Sequence, residues 1–135
     1  MISESLMCIA MTMWGEARGE GEQGMIATGY SVVNRYHDPN YPKSYCKIMK
    51  QSYQYDFLNK RLPTKKEVNS ILPLAEKVMK REVPDPTHGA THFHNKSCKP
   101  IWTNSMQLTA VINNHLFYKK RETQKWTTYK LTLNK

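Results

Sequence analysis

Apolar residues recur at helical spacing in the first half of the chain. Residues 5–18 carry apolar side chains three and four positions apart, and Ser3 or Ser5 can cap the helix that this spacing predicts. A second helix is expected over residues 22–36, which present one apolar face and end before a His-Asp-Pro-Asn segment. A third is expected over residues 65–79, behind a capping-box sequence. The first half of the chain is therefore predicted to be helical.

Two features interrupt this helical half. Residues 38–63 are rich in Tyr, Pro and Lys, and they predict a loop with a short helical turn around Ile48. Pro73 lies within the third helical segment, where its missing amide hydrogen predicts a kink or a break.

In the second half, apolar and polar residues alternate with the period of a strand. Residues 90–94 predict one strand, and residues 110–118 predict a hairpin. The turn of this hairpin falls at Asn113 and Asn114, because asparagine tolerates the positive φ of a tight turn. A last strand is expected where Tyr129, Leu131 and Leu133 alternate.

These elements predict an α+β fold in which N-terminal helices pack on a small antiparallel β-sheet. Residues 1–135 are expected to form one domain, since this length allows a substantial core but no second module. The main structural alternative is a helix over residues 103–118.

The chain is strongly basic, with 20 Lys and Arg residues against 11 Asp and Glu, a formal net charge of +9. Such a charge attracts polyanions. It does not choose among nucleic acid, an anionic membrane and the bacterial envelope, and a solvated Lys-rich surface is the simplest alternative. The N-terminus lacks the basic start of a signal peptide, and no segment reaches the ~20 apolar residues of a membrane span. We therefore expect neither an export signal nor a transmembrane segment.

The three cysteines, Cys8, Cys46 and Cys98, are widely spaced and include no CxxC pair. This arrangement predicts neither a disulfide framework nor a structural zinc site. A bond between Cys46 and Cys98 in an oxidising space is left open.

The strongest candidate for chemistry is Glu16. It follows an apolar run, lies beside Trp14 and is flanked by glycines that allow a bulky ligand to approach. A carboxyl group in such a setting is expected to be desolvated, which raises its pKa toward the value that a general acid needs. Cleavage of a glycosidic bond requires such an acid, because the leaving oxygen must be protonated. The alternative is that Glu16 and Glu20 are solvated residues on one helix face.

Hydrolysis of a glycosidic bond normally requires a second carboxylate. Spacing does not place one, and the candidates are Glu20, Glu22, Asp38, Asp56 and Asp85. A lytic transglycosylase needs only one carboxyl group, which first protonates the leaving oxygen and then deprotonates the C6 hydroxyl of N-acetylmuramic acid. Its product is a 1,6-anhydro sugar.

Three further groups of side chains offer weaker signals. His88, His92 and His94 could bind zinc with His115 or a carboxylate, but no HExxH or CxxC motif accompanies them. We expect sugar contacts or structural hydrogen bonds instead, and no metal. Aromatic residues could stack on sugar rings or lie in the core: Trp102, Tyr118, Tyr30, Tyr53 and Tyr55. Basic residues interleaved with aromatics near the C-terminus could hold nucleic acid, but no nucleic-acid-binding motif supports this.

Six collinear segments resemble those of the spore-cortex-lytic, or SleB-type, cell wall hydrolase family. Residues 14–20 (WGEARGE) match an aromatic-GEARGE motif, and residues 84–94 (PDPTHGATHFH) match a PDPTxGATHFH stretch. The others are residues 24–35, which end in VVNR, the segment from Pro42 to Cys46, and residues 99–102 and 112–118. The QFS element of the family is ambiguous here, and Asn113 replaces a glycine.

The resemblance implies a lysozyme-like or lytic-transglycosylase-like domain that cleaves the MurNAc-GlcNAc bond of peptidoglycan. Glu16 then corresponds to the catalytic acid. Motif positions near the expected groove are candidate substrate contacts: Glu20, Tyr55, Asp56, His92, His94, Trp102, His115 and Tyr118. No cofactor and no stable protein partner are implied, and a monomer is expected.

A basic catalytic domain without an export signal or wall-binding repeat resembles a bacteriophage endolysin. Such an enzyme is expected to remain in the host bacterial cytoplasm until lysis releases it to the wall. Three alternatives remain: a hydrolytic muramidase that acts on the same bond, a zinc amidase and a basic nucleic-acid-binding module.

Overall fold

Helices and strands segregate along the chain in the computed structural model, which describes residues 3–51 and 62–121. None of the helices in these ranges has the length and apolar character needed to span a bilayer. The elements are helices α1 (Glu4–Ala17), α2 (Gly21–Tyr36), α3 (Tyr45–Gln51) and α4 (Lys65–Met79), strands β1 (His92–Asn95), β2 (Met106–Ile112) and β3 (His115–Lys120), and a short 3-10 helix (Ile101–Ser105).

The helix starts follow the capping signals in the sequence. The Ser3 side chain accepts a hydrogen bond from the backbone N–H of Leu6, and Thr64 and Glu67 form a reciprocal capping box at the start of α4. The turn predicted around Ile48 is the helix α3. The helical predictions are therefore confirmed to within a residue or two at most ends.

Pro73 does not break α4, so that part of the prediction is wrong. The helix continues from Lys65 to Met79 with Pro73 inside it. Because proline has no amide hydrogen, the carbonyl of Asn69, four residues earlier, has no helical partner. Both Asn69 and Pro73 are exposed. Water can bond that carbonyl, which lowers the cost of proline inside the helix.

Helix α1 lies at the centre of the helical half, in contact with α2, α3 and α4. Its residues Ile9, Ala10 and Met13 are fully buried. Gly29 of α2 allows a close approach, because a Cβ atom there would lie 3.0 Å from Met13 Sδ and 3.1 Å from Val78 Cγ1. The absent side chain thus lets α1, α2 and α4 meet at one point.

The three described strands form an antiparallel sheet in the order β1-β3-β2. The predicted hairpin is confirmed as β2 and β3, and its turn residue Asn113 has a φ of 52°. The helical alternative for residues 103–118 is wrong, since only the 3-10 helix at its start is helical. The predicted strand at 129–133 lies outside the described residues.

The disulfide bond joins Cys8 to Cys46, whereas Cys98 is free and exposed. A pairing of Cys46 with Cys98 is therefore wrong. Cys8 lies in α1 and Cys46 in the first turn of α3, and packing of these helices brings their Cα atoms to 5.2 Å. The two cysteines are 38 residues apart in sequence, so the bond closes a long loop. A motif of short spacing, such as CxxC, does not reveal this pair.

We predict that removing this disulfide with the double substitution Cys8→Ala/Cys46→Ala lowers the free energy of unfolding by about 3–4 kcal/mol, because the unfolded chain regains the entropy of the closed loop. Urea unfolding followed by circular dichroism measures the change. Cys98→Ser is the matched control and should unfold like the wild type. A reductant that leaves the wild-type transition unmoved would contradict the prediction.

Candidate active site

Glu16 lies in the last turn of α1, and its Oε1 atom is shielded from solvent. The segment around it is firmly held. Trp14 is only 4% exposed, its indole Nε1 donates to Glu67 Oε2 at 3.2 Å, and the Arg18 guanidinium lies 4.3 Å from the centre of its ring. Shielding of this kind removes water from the carboxyl group. The desolvation expected from the sequence is thus present at one oxygen of Glu16.

Four of the predicted substrate contacts come together on one face of the sheet, in what we call the aromatic cluster: His92, His94, Trp102 and Tyr118. His92 and Tyr118 are directly opposed on β1 and β3. The Trp102 ring lies 5.1 Å from that of His92, 5.7 Å from that of His94 and 5.2 Å from that of Tyr118. The 3-10 helix therefore places Trp102 against β1 and β3.

Hydrogen bonds define the tautomer of His94. A backbone carbonyl can only accept, so Nδ1 carries the hydrogen that it donates to Asn95 O at 2.8 Å. Nε2 then accepts from the hydroxyl of Tyr118 at 2.9 Å. Burial raises the pKa of Tyr118, which keeps its hydroxyl a donor. Both ring nitrogens of His94 are therefore used within the fold.

His92 is held in its neutral form. Its Nδ1 lies 2.9 Å from Thr91 Oγ1. Burial and the nearby Arg35 guanidinium lower the pKa of His92 to about 4, and Asp38 offsets this only in part. At neutral pH the ring contributes a neutral polar surface to the aromatic cluster.

The part of the chain that the structure describes does not contain the ligand set that the zinc alternative requires. Across residues 3–51 and 62–121, no group of three or more His, Cys, Asp or Glu side chains is arranged to hold a metal ion. His88, the third histidine of that alternative, is exposed in the loop before β1.

His115 lies on the opposite face of the sheet from Tyr118, packed against the ring of Phe93 at 5.0 Å. It is 6% exposed, and its Nδ1 lies 3.7 Å from Glu20 Oε1. Burial lowers the pKa of His115, and the Glu20 carboxylate opposes this shift. The structure thus separates His115 from the aromatic cluster and places it beside Glu20.

Glu20 lies between α1 and α2 and contacts the β2–β3 turn. Its Oε1 accepts from the backbone N–H of Asn114 at 3.0 Å, and its Oε2 accepts from Asn114 Nδ2 at 3.1 Å. Tyr55 and Asp56, the remaining predicted contacts, lie outside the described residues.

A polar network, to which the sequence alone assigns no role, holds the segment before β1. Asp85 Oδ1 accepts from the N–H and hydroxyl of Thr87, and Oδ2 accepts from Gly89 N and Asn34 Nδ2, all at 2.7–3.0 Å. Arg35 Nε donates to Thr91 O at 2.6 Å. These residues belong to the VVNR and PDPT segments, and their contacts join the end of α2 to the start of β1.

We predict that stability falls as the pH is lowered from about 6.5 to about 4. The pKa of His92 is about 4 in the folded state against 6.5 for the model value. As the pH falls, the unfolded chain therefore binds a proton at His92 before the folded protein does. The contribution of the neutral His92 ring to the free energy of unfolding is fully present above pH 6.5 and is lost toward pH 4. A shift of this size contributes at most about 3 kcal/mol.

Urea unfolding at pH 7 and pH 4.5 measures this loss, and it should be smaller in His92→Gln. NMR titration of the imidazole provides a direct check. A His92 resonance that titrates near 6.5 in the folded protein would refute the prediction.

Comparison with known proteins places this arrangement in a family. The sequence profile of the cell wall hydrolase family matches residues 19–118, a range that begins three residues after Glu16. None of the curated proteins compared matches the chain.

Two solved structures share the fold. The catalytic domain of the Bacillus cereus SleB protein aligns with a TM-score of 0.67 at 19% identity, covering 85% of this chain and 89% of that one. The catalytic domain of the germination-specific lytic transglycosylase SleB from Bacillus anthracis aligns with a TM-score of 0.68 at 20% identity, covering 87% and 97%. Because the profile match spans most of the sequence, this chain belongs to the cell wall hydrolase family.

Proposed function

We propose that this enzyme cleaves the MurNAc-GlcNAc bond of peptidoglycan as a lytic transglycosylase, with Glu16 as its general acid and base. The observation that carries the proposal is the solvent-shielded Oε1 of Glu16 at the end of α1. Membership of the cell wall hydrolase family supports the substrate. The fold shared with a protein described as a lytic transglycosylase supports the type of reaction.

In the proposed reaction, one carboxyl group serves two steps. Protonated Glu16 gives its proton to the glycosidic oxygen while the bond from that oxygen to C1 breaks. The resulting carboxylate takes the proton of the C6 hydroxyl of N-acetylmuramic acid, and O6 bonds to C1. Glu16 ends the cycle protonated, the product is a 1,6-anhydro sugar, and no water is consumed.

The surroundings of the other carboxylates favour this route over hydrolysis. Hydrolysis needs a second carboxylate that acts on water or on C1. Both oxygens of Glu20 accept hydrogen bonds from Asn114, and both oxygens of Asp85 accept hydrogen bonds within its own network. Glu22 is exposed on the first turn of α2. Hydrolytic cleavage, with Asp56 or Asp38 as the second group, is the alternative.

The aromatic cluster is proposed to bind a sugar ring. Trp102 is half-buried, and the adjacent Ile101 is 86% exposed. A half-buried indole whose position is held by contacts with two imidazoles and a tyrosine ring suits stacking on a pyranose ring. The cluster therefore supplies binding, while Glu16 supplies proton transfer.

We predict that Glu16→Gln abolishes nearly all turnover of purified sacculi, because the amide cannot donate the proton that the leaving oxygen needs, a step that contributes about 10²–10⁴-fold in rate. Mass spectrometry of the products should show wild-type muropeptides lighter than hydrolytic ones by one water molecule. Glu22→Gln is the matched control, the same chemical change six residues later at an exposed site.

Two results would contradict the proposal. Full activity in Glu16→Gln would exclude its role as the acid, whereas reducing-end products of full mass would establish the hydrolytic alternative.

We further propose that the enzyme acts as a bacteriophage endolysin, released from the host cytoplasm to the wall at lysis. Its net charge of +9 supports rapid adhesion to the anionic envelope. An enzyme that must find its wall quickly after release benefits from such attraction.

We predict that raising the salt concentration to about 0.3 M, where the screening length falls to about 6 Å, lowers the activity on whole walls by about tenfold. The turnover of short soluble glycan strands should change little, because it does not depend on adhesion. Unchanged activity on whole walls would argue against electrostatic adhesion.

A further inference from the structure

The linker between α1 and α2, residues 18–20, is the direct continuation of the helix that carries Glu16. Its backbone N–H at Glu20 donates to Ala17 O at 2.9 Å, and Gly19 and Gly21 on either side of Glu20 have φ values of 88° and 80°. These left-handed conformations fold the chain back on itself within a few residues. The position of the linker therefore determines where the last turn of α1 ends.

Glu20 joins this linker to the sheet by three acceptor atoms. Its two carboxylate oxygens accept from the backbone and side chain of Asn114, and its backbone carbonyl accepts from Asn113 Nδ2. The Glu20 side chain is 14% exposed, whereas its partners Asn113 and Asn114 are exposed, and the hydrogen bonds to its carboxylate are charge-assisted. The β2–β3 turn is thereby fastened to the chain four residues after Glu16.

Gly24 makes room for this contact. A Cβ atom at Gly24 would lie 2.5 Å from Glu20 Cβ and 3.5 Å from Asn113 Nδ2. The first distance is shorter than any real contact, so a larger residue would displace Glu20. The surroundings of the Glu20 side chain are thus formed by three separate parts of the chain: the linker, α2 and the β2–β3 turn.

We infer that Glu20 is a positioning residue, which fastens the end of α1 to the β2–β3 turn and so holds Glu16 in register with the sugar-binding face of the sheet. The inference rests on the function proposed above. Both Glu20 oxygens point toward Asn114, so the contacts favour positioning over the direct substrate contact implied by the sequence motif. A small displacement of an acid from its leaving group is costly, because proton transfer requires hydrogen-bond geometry.

The test replaces the carboxylate without changing its size. Glu20→Gln leaves one acceptor oxygen and places an amide NH2 against a donor of Asn114. We expect kcat on soluble glycan strands to fall by roughly 100-fold with KM changed by less than about twofold. Glu22→Gln is the matched control, and unfolding curves verify that each variant is folded.

A double variant, in which the carboxylate and amide groups of residues 20 and 114 are exchanged, distinguishes lost positioning from a failure to fold. In Glu20→Gln/Asn114→Asp, the new amide can accept from the backbone N–H of residue 114 and donate to the new carboxylate. This double variant should recover at least about tenfold of the lost kcat, since both polar partners are again satisfied.

Affinity separates positioning from substrate contact. Binding of glycan strands is measured in the inactive Glu16→Gln background, with and without Glu20→Gln. Positioning predicts the same Kd in both proteins. A weaker Kd with Glu20→Gln, or a Glu20→Gln enzyme with wild-type kcat, would overturn the inference. Full activity of Glu16→Gln alone would instead overturn the proposed function.

Discussion

The site depends on one packing constraint, which is that helix α1 is enclosed by α2, α3 and α4 and carries Glu16 in its last turn. Ile9, Ala10 and Met13 are fully buried, and Gly29 lets α2 and α4 close on the helix. A close-packed helix has little freedom to shift or rotate. The direction of α1 is therefore determined by the core, and the core determines where Glu16 emerges.

Desolvation affects several ionisable groups of the candidate site. Glu16 Oε1 is shielded from solvent, and burial of His92 and His115 disfavours the charged imidazolium. At neutral pH these two imidazoles therefore add no positive charge to the site, although the chain carries a net charge of +9. The Arg35 guanidinium lies near His92, so part of the positive charge of the chain does belong to this region.

Much of the family signature serves architecture. Asn34, Arg35 and Asp85 join α2 to the segment before β1, and Glu20 with Asn114 joins the α1–α2 linker to the hairpin. Each contact bridges parts of the chain that are distant in sequence. In this chain, several polar residues of the family motifs therefore join the helices to the sheet.

The sequence by itself determined the helices and the hairpin, because helical spacing, capping residues and the Asn113-Asn114 turn are local signals. An apolar run before a carboxylate is also a local signal, and it makes Glu16 the candidate acid. Only the tertiary structure decided that Cys8 pairs with Cys46, that α4 continues through Pro73, and that His115 faces Glu20 while His92 and His94 face Trp102. These outcomes depend on which surfaces meet and which carbonyls face water. That information lies in contacts between distant residues, and no spacing along the chain encodes it.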